Sequence, residues 1–274
     1  MACFGPWWGR LRQALGQARR GRCSDVKLLD GTVLPCEFLG AADGQRTVIF
    51  GHGLGPSAPR AMTRRTCDSY ALLEAAVESA GDLRVLIYDA RGHGASRGWE
   101  RYGCIDQFHW RSLAFDMLSA ASQIGGQASS PGAILGGYSM GASTALWATY
   151  LYPTAVRGLV LLCVTTAWEI RAVRRGNLLA NAKALEAAGD PCSAAVVKGA
   201  AFADLPTEDQ IRAANLQVPV LLLCARDDGT HPAAVIERLA AVLPRGRAVI
   251  AETTEELRRA FPGELRKWMG EHFP

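Results

Sequence analysis

A serine between two glycines is the strongest chemical signal in the sequence. Residues 137–141 read Gly-Tyr-Ser-Met-Gly, shortly after the apolar run Ala133–Leu135 and before a helical stretch. This pattern between a strand and a helix predicts a sharp turn that exposes the serine hydroxyl at the end of a sheet. The positive N-terminus of the helix then favours an oxyanion beside it. We therefore predict Ser139 as a nucleophile; the alternative is a turn that uses small residues only for packing.

A second glycine-rich segment can supply the backbone donors that such a serine needs. The residues Phe-Gly-His-Gly-Leu-Gly at 50–55 begin at the end of the short apolar run Thr47–Phe50. Acyl transfer needs donors where negative charge develops, and loss of one typically costs about 10²–10³ in rate. We predict that the backbone N–H groups of Leu54 and Met140 form this oxyanion hole.

A third polar loop follows the next apolar run, at residues 88–96. Its glycines are typical of a tight turn. We expect the imidazoles of His52 and His93 to bond loop backbone. We also expect Asp89 and Arg91 to brace loops rather than to contact substrate.

These motifs occur in the order found in the α/β-hydrolase superfamily, which the chain resembles over roughly residues 26–273. The matches are the His-Gly of the loop at 52–53, D-x-R-G-H-G-x-S at 89–96 and G-x-S-x-G at 137–141. The resemblance implies an α/β fold, a serine nucleophile at Ser139 and no cofactor. It does not determine the substrate, because the family contains esterases, lactonases, thioesterases and members without catalysis.

The acid loop, residues 224–232, offers two carboxylates, Asp227 and Asp228. The family's usual spacing places a proline four residues after the acid, which favours Asp228 because Pro232 lies there. Asp227 remains the alternative. Both also fit a polar turn, since Asp-Asp-Gly is a strong turn sequence.

The base is where the chain departs from the family, whose members commonly carry a histidine after the last strand. Here no histidine occurs between His231 and His272, and His272 is expected at the surface near the end of a terminal helix. His231 lies three residues after Asp228 in a D-x-x-H-P loop, so the two side chains can meet if the loop makes a helical turn. We predict His231 as the base; a helix-capping role is the alternative. Glu255 would be a weak substitute, because a solvated carboxylate has a pKa near about 4.

The scaffold for these groups is predicted to be one α/β domain over residues 26–274. Apolar runs alternate with amphipathic stretches, which indicates a mostly parallel central sheet with helices on both faces. Residues 26–34 and 37–40 are predicted to form a hairpin. Residues 165–215 interrupt the alternation for about 50 residues, too long for a plain connection, and predict a small helical cap.

The positive charge of the chain is concentrated in a basic N-terminal segment, residues 1–25. Residues 1–24 hold five arginines and no acid, so the other 250 residues carry 25 basic and 26 acidic side chains. We therefore predict no nucleic-acid-binding face. Apolar residues at helical spacing within 7–20 fit a helix packed on the domain, weak contact with a membrane surface or organelle targeting.

The composition of the 274 residues, 49% hydrophobic and 20% charged, is that of an ordinary globular protein. The longest clear apolar runs, Leu159–Val164 and Val218–Cys224, are far shorter than the ~20 residues of a membrane-spanning helix, so none is predicted. The eight cysteines include no C-x-x-C pair, which argues against a zinc or redox motif. The pattern suits a reducing compartment, and we predict a cytoplasmic location.

The sequence thus predicts a serine hydrolase that cleaves a small, apolar carboxylic ester, lactone or thioester through an acyl-enzyme on Ser139. No cofactor or metal is predicted. The alternative is a catalytically impaired member of the same fold that binds a ligand or a partner protein, and the absent late histidine is its basis.

Overall fold

The computed structural model describes residues 20–40, 44, 46–55, 59, 62–64, 69–102, 104–125 and 132–274. Most of the basic N-terminal segment lies outside the described residues, and so does nearly all of the 7–20 stretch considered for membrane contact or targeting. Within the described ranges, no helix is long and apolar enough to cross a membrane.

The described strands build a central sheet of eight strands and a separate pair. In chain order the strands are β1 (Arg20–Arg22), β2 (Val26–Lys27), β3 (Val33–Leu34), β4 (Cys36–Gly40), β5 (Arg46–Gly51), β6 (Leu83–Tyr88), β7 (Ala133–Tyr138), β8 (Val156–Leu162), β9 (Val220–Ala225) and β10 (Gly246–Ala251). The sheet order is β1-β4-β6-β5-β7-β8-β9-β10, and β2 pairs with β3. From β6 to β10 every neighbouring pair is parallel, whereas β4 runs antiparallel to β1 and β6.

Helices cover both faces of this sheet, which confirms the predicted fold class. They are α1 (Ser69–Ala80), α2 (Trp110–Gly125), α3 (Met140–Leu151), α4 (Arg171–Ala187), α5 (Pro191–Phe202), α6 (Glu208–Ala214), α7 (Ala233–Val242) and α8 (Thr254–His272). Side chains of α2, α3 and α7 belong to one apolar core, and those of α1 and α8 belong to the other. Strands enclosed between two cores are apolar throughout, as in β9, whose six residues are all buried.

Three helices, α4 to α6, fill the long connection between β8 and β9 where the sequence predicts a cap. The apolar sides of α4 and α5 pack together around Leu178, Ala182 and Val197, and Leu54 packs against the same cluster. Since Leu54 lies in the loop after β5, these helices contact the carboxyl end of the sheet. The Arg171 guanidinium lies 4.2 Å from the ring centre of Trp110 and donates to the Thr166 carbonyl at 3.0 Å, which joins α4 to the domain.

Two details differ from the sequence-based expectations. The hairpin lies within residues 26–34, as β2 and β3, while Cys36–Gly40 pairs with β1 and β6 instead. The reason is that residues 36–40 are nearly all buried and belong inside the sheet. In addition, Cys23 and Cys36 form a disulfide. Disulfides are rare in the cytosol, so this pair argues against a reducing compartment, and the cytoplasmic location stays a prediction.

A buried ion pair fixes the loop after β6 to α2. Arg91 donates to both carboxylate oxygens of Asp116, at 2.9 and 3.0 Å, and reaches Asp30 at 2.6 Å. Burial raises the pKa of Asp116 to about 6, and the Arg91 guanidinium opposes that shift. Asp116 therefore braces a loop, and Arg91 has the structural role expected from the sequence.

Removal of one member of this pair should destabilise the fold strongly. Asp116→Ala leaves the buried guanidinium without its bidentate partner, so we expect a loss of about 3–5 kcal/mol in the free energy of unfolding. Urea denaturation followed by circular dichroism measures it. The matched control is Asp209→Ala, whose exposed ion pair with Arg212 should contribute about 1 kcal/mol or less. Equal effects of the two variants would contradict the assignment.

The turn between β7 and α3 depends on close backbone contacts. Ser139 has φ 55° and ψ −111°, a left-handed backbone that serine rarely adopts. A Cβ atom added to Gly141 would lie 2.1 Å from the Gly51 carbonyl oxygen, and one added to Gly137 would lie 2.1 Å from the Gly141 carbonyl carbon. The glycines of the G-x-S-x-G pattern are therefore needed so that α3 can start against β5 and β7.

Gly141→Ala should prevent this close approach. Overpacking typically costs about 1–3 kcal/mol, and here the obstructing atom is backbone, so we expect a loss at the upper end of that range in thermal or urea unfolding. The matched control is Gly176→Ala in α4, where an added Cβ meets nothing within 4 Å. That variant should be neutral or more stable by up to ~1 kcal/mol. A stable Gly141→Ala protein would show that the turn has room to relax.

Candidate active site

Ser139, His231 and Asp228 form a continuous hydrogen-bonded chain. The Ser139 Oγ lies 2.9 Å from His231 Nε2, and His231 Nδ1 lies 2.7 Å from Asp228 Oδ2. Ser139 lies at the carboxyl end of β7, and the other two lie in the loop after β9. Because parallel strands end at one edge of the sheet, residues almost a hundred positions apart meet there.

Local backbone hydrogen bonds shape the loop that carries Asp228 and His231. The Asp228 Oδ1 accepts from the backbone N–H groups of Thr230 at 2.9 Å and His231 at 3.2 Å. The His231 N–H also points to the Asp228 carbonyl, at 3.3 Å. The chain thus makes the single turn that the three-residue spacing requires, and Pro232 then occupies the N-cap of α7.

The electrostatics of the loop keep Asp228 ionised. Burial alone would raise its pKa, but the hydrogen bonds from the His231 ring and from the backbone of Thr230 and His231 lower it below the ordinary value. An ionised Asp228 accepts a hydrogen bond from Nδ1–H of His231. That tautomer leaves the Nε2 lone pair directed at the Ser139 hydroxyl, which is the arrangement that proton transfer requires.

The loop with Leu54 and the start of α3 with Met140, which are predicted to supply the oxyanion hole, both lie next to Ser139. Met140 is the first residue of α3, and the first N–H groups of a helix have no partner within it. The loop with Leu54 lies against the serine, since a Cβ on Gly53 would lie 3.6 Å from the Ser139 Cβ. The Gly141 N–H donates to the His52 carbonyl at 3.0 Å and ties this loop to α3.

The residues considered as alternative acid or base, Asp227, Glu255 and His272, make contacts elsewhere. Asp227 accepts from the backbone N–H and the hydroxyl of Thr254, both at 2.7 Å, so it stabilises the start of α8. Glu255 is more than half exposed and lies 3.8 Å from the Arg259 guanidinium. The His272 ring packs on Trp268 near the end of α8, with ring centres 5.7 Å apart.

The other two buried histidines bond loop backbone, as the sequence analysis expects. His52 Nε2 accepts from the Ala90 N–H at 3.0 Å, and Nδ1 lies 2.8 Å from the Gly53 carbonyl. His93 Nδ1 lies 3.0 Å from the Arg91 carbonyl. Burial lowers the pKa of both rings, to about 3 for His93, so they stay neutral.

Sequence reasoning missed three side chains around the site. The Tyr138 ring meets the His231 ring edge to face, with centres 5.2 Å apart. The Ser143 hydroxyl donates to the Ser139 carbonyl at 3.3 Å. Cys163 lies next to Asp228 and His231: its sulfur is within 4.8 Å of a carboxylate oxygen of Asp228 and of a ring nitrogen of His231. Only Tyr138 carries a sequence signal, because it belongs to the G-x-S-x-G pattern; the other two depend on tertiary packing.

Solved structures similar to this chain are hydrolases and esterases. A hydrolase from Pseudomonas aeruginosa PA01 matches with a TM-score of 0.68 and 22% identity, over 91% of this chain and 99% of that chain. An esterase from Exiguobacterium antarcticum matches with a TM-score of 0.68 and 16% identity, over 90% and 99%. A thermophilic esterase from Thermogutta terrifontis matches with a TM-score of 0.63 and 19% identity, over 92% and 99%.

At these identities the structures show a shared fold. The comparison with curated protein sequences found no match. The family model for the alpha/beta hydrolase fold matches residues 46–182, which is half of the chain and includes both the loop at 52–55 and the turn at Ser139. The chain therefore belongs to the alpha/beta hydrolase fold family.

Proposed function

We propose that the protein is a serine hydrolase that cleaves a small carboxylic ester, lactone or thioester through an acyl-enzyme on Ser139. The observation that carries this proposal is the 2.9 Å distance between the Ser139 Oγ and His231 Nε2, with Asp228 on the far side of the ring. A nucleophile, a base within hydrogen-bond reach and a group that orients the base are the elements of a catalytic triad. The family membership supports a hydrolase in general terms.

In the acylation step, His231 Nε2 takes the hydroxyl proton as the Ser139 Oγ attacks the substrate carbonyl carbon. The carbonyl oxygen becomes an oxyanion, which the backbone N–H groups of Leu54 and Met140 stabilise. Asp228 stabilises the imidazolium through Nδ1–H. The imidazolium then gives its proton to the leaving oxygen or sulfur as the bond to the carbonyl carbon breaks. In the second half of the reaction water replaces the serine as nucleophile, and His231 again takes and returns the proton.

The short spacing between acid and base explains how the chain can work without a late histidine. The turn at residues 228–231 directs the Asp228 carboxylate at one ring nitrogen of His231 and leaves the other for Ser139. A histidine after β10 is then unnecessary, and the carboxylate of Asp227 accepts instead from Thr254, the first residue of α8. The chain order of nucleophile, acid and base is that of the family.

The surroundings of the site favour a small apolar substrate. Leu54 follows Gly53, which lies against Ser139, and its side chain packs against three apolar clusters. One of them contains Leu178 and Val197, and another contains Phe108. Ligand sites of this kind are lined mainly by apolar side chains, with a few placed polar groups. Two of the similar structures are described as esterases, which favours an ester over other acyl compounds.

Substitution of the proposed triad should abolish hydrolysis of a chromogenic short-chain ester. We expect kcat/KM to fall by about 10⁴-fold or more in Ser139→Ala and His231→Ala, and by about 10⁴-fold in Asp228→Asn, because such groups act as one unit. The matched controls are His272→Ala and Asp227→Asn, which remove the same groups elsewhere and should keep most of the activity. Full activity in Ser139→Ala would refute the mechanism.

A fluorophosphonate probe separates catalysis from the alternative of a binding module. We expect stoichiometric labelling of Ser139, because the probe reacts with a serine that a neighbouring base activates. Mass spectrometry of the labelled peptide locates the adduct. Labelling should vanish in Ser139→Ala, drop sharply in His231→Ala and persist in His272→Ala. An intact, folded protein that is not labelled would favour the ligand- or partner-binding alternative.

A further inference from the structure

Cys163 lies beside the Asp228–His231 pair although it is remote from both in the sequence. It follows β8 directly, and its backbone N–H donates to the Leu223 carbonyl of β9 at 2.7 Å. Its φ of 51° lies in the left-handed region, so the chain bends sharply at this residue. The bend brings the thiol to the loop after β9, where one ligand atom from each of the three residues lies within 4.8 Å of the other two.

We propose that Cys163, Asp228 and His231 form an inhibitory site for Zn²⁺ or a similar soft divalent cation. A thiolate, an imidazole and a carboxylate are the three ligand types that zinc takes in proteins, and three protein ligands with one open position make a common zinc site. Sulfur and imidazole nitrogen select such cations over Mg²⁺ and Ca²⁺, which prefer oxygen. The thiolate and the carboxylate together balance the charge of the ion.

The geometry needs only small side-chain movements to close around a cation. In a tetrahedral zinc site the ligand atoms lie roughly 3.5 Å apart, given metal–ligand distances of about 2.0–2.3 Å. The widest separation between two ligand atoms here is at most 4.8 Å, so it must shorten by little more than 1 Å. The 2.7 Å distance between Asp228 Oδ2 and His231 Nδ1 must lengthen by somewhat less than 1 Å. Rotations about side-chain bonds can supply such shifts.

The cation can enter from the side of Asp228. The side chain of Asp228 is 18% exposed and that of His231 only 6%, and Cys163 is buried. An ion that first meets the carboxylate therefore has a short path to the two buried ligands. The site opens at the same sheet edge as Ser139.

Binding of a cation to His231 would remove the base that activates the Ser139 hydroxyl. The ring nitrogen that faces Asp228 is Nδ1, so the cation bonds to Nδ1 and the single proton of the neutral imidazole moves to Nε2. The thiol loses its proton to solvent as the metal–sulfur bond forms. Nε2–H can then only donate to the Ser139 hydroxyl, and no base remains to accept the hydroxyl proton. The inhibition thus rests on the proposed function, whereas the binding of the cation does not.

The test is a titration of the chelator-treated full chain, with the Cys23–Cys36 disulfide intact, with Co²⁺ and Zn²⁺. Co²⁺ bound to a thiolate gives a charge-transfer absorption band, and competition by Zn²⁺ gives the zinc affinity. We expect one cation per chain, a thiolate band, and slower labelling of Ser139 by a fluorophosphonate when Zn²⁺ is present. Loss of a group that only hydrogen-bonds to a metal ligand costs about 10–100-fold in affinity. Loss of a ligand itself, in Cys163→Ala, should therefore weaken Zn²⁺ binding by at least about tenfold and abolish the band.

Two matched controls and one second ligand variant keep the test decisive. Cys104→Ala removes an exposed thiol and Cys224→Ala removes a buried one, and both should retain the band and the affinity. Asp228→Asn, on the half-buried loop, should weaken Zn²⁺ binding even if Cys163→Ala does not fold. For the cysteine variants, inhibition is the ratio of the Ser139 labelling rates with and without Zn²⁺, whereas Asp228→Asn is judged by its Zn²⁺ affinity alone.

The two proposals fail in different ways. A band that persists in Cys163→Ala, or that disappears in Cys104→Ala, would overturn the metal site and indicate adventitious binding. Cysteine-dependent binding to a chain whose Ser139 never reacts would support the metal site and refute the serine hydrolase. A reactive Ser139 whose labelling Zn²⁺ does not slow would refute the inhibitory site alone.

Discussion

The contact between the backbones of Gly51 and Gly141 is the constraint on which the site depends. Any side chain at Gly141 would overlap the Gly51 carbonyl, so α3 can begin against the end of β5 only if this residue has no Cβ. The close approach accompanies a positive φ at Ser139, whose hydroxyl meets His231 and does not cap the helix that follows. It also brings the loop after β5 next to the serine. One steric condition thus positions the hydroxyl, the N-terminus of α3 and the loop proposed to supply the second backbone donor, and such strain persists only where the surrounding structure enforces it.

A second constraint is the local turn that holds Asp228 and His231 together, and it replaces long-range packing between an acid loop and a separate histidine loop. In a fold where the acid and the base lie on separate loops, their mutual orientation depends on the packing of two elements. Here four consecutive residues, 228–231, hold both groups, and backbone N–H bonds to the Asp228 carboxylate fix the turn. The tertiary structure then has to satisfy only one distance, from His231 to Ser139. Tyr138 contributes to it by packing edge-on against the imidazole.

The parts of this arrangement that follow local rules could be predicted from the sequence. The serine turn follows from glycine spacing between a strand and a helix, and the meeting of Asp228 with His231 follows from a three-residue separation before a proline. The parts that depend on strand pairing could not be predicted. The strand Cys36–Gly40 has a proline before it and a polar Glu37 within it, yet it lies inside the sheet between β1 and β6. Cys163 meets the acid loop only because β8 pairs with β9. No residue spacing in the sequence predicts that the two strands are neighbours.

The proximity of Cys163 and Ser139 to the Asp228–His231 pair has two chemical consequences at the edge of the sheet. Proton transfer needs an imidazole held tightly between a carboxylate and a hydroxyl, in surroundings where electrostatic interactions are stronger than in water. A buried thiol beside that imidazole adds a third ligand of the kind that soft cations prefer. The hydrogen bonds of the triad join only Ser139, His231 and Asp228, so the geometry of the triad does not itself require sulfur at position 163. In the proposed enzyme a cysteine there makes the base sensitive to metal, so the base can be withdrawn without unfolding any part of the structure.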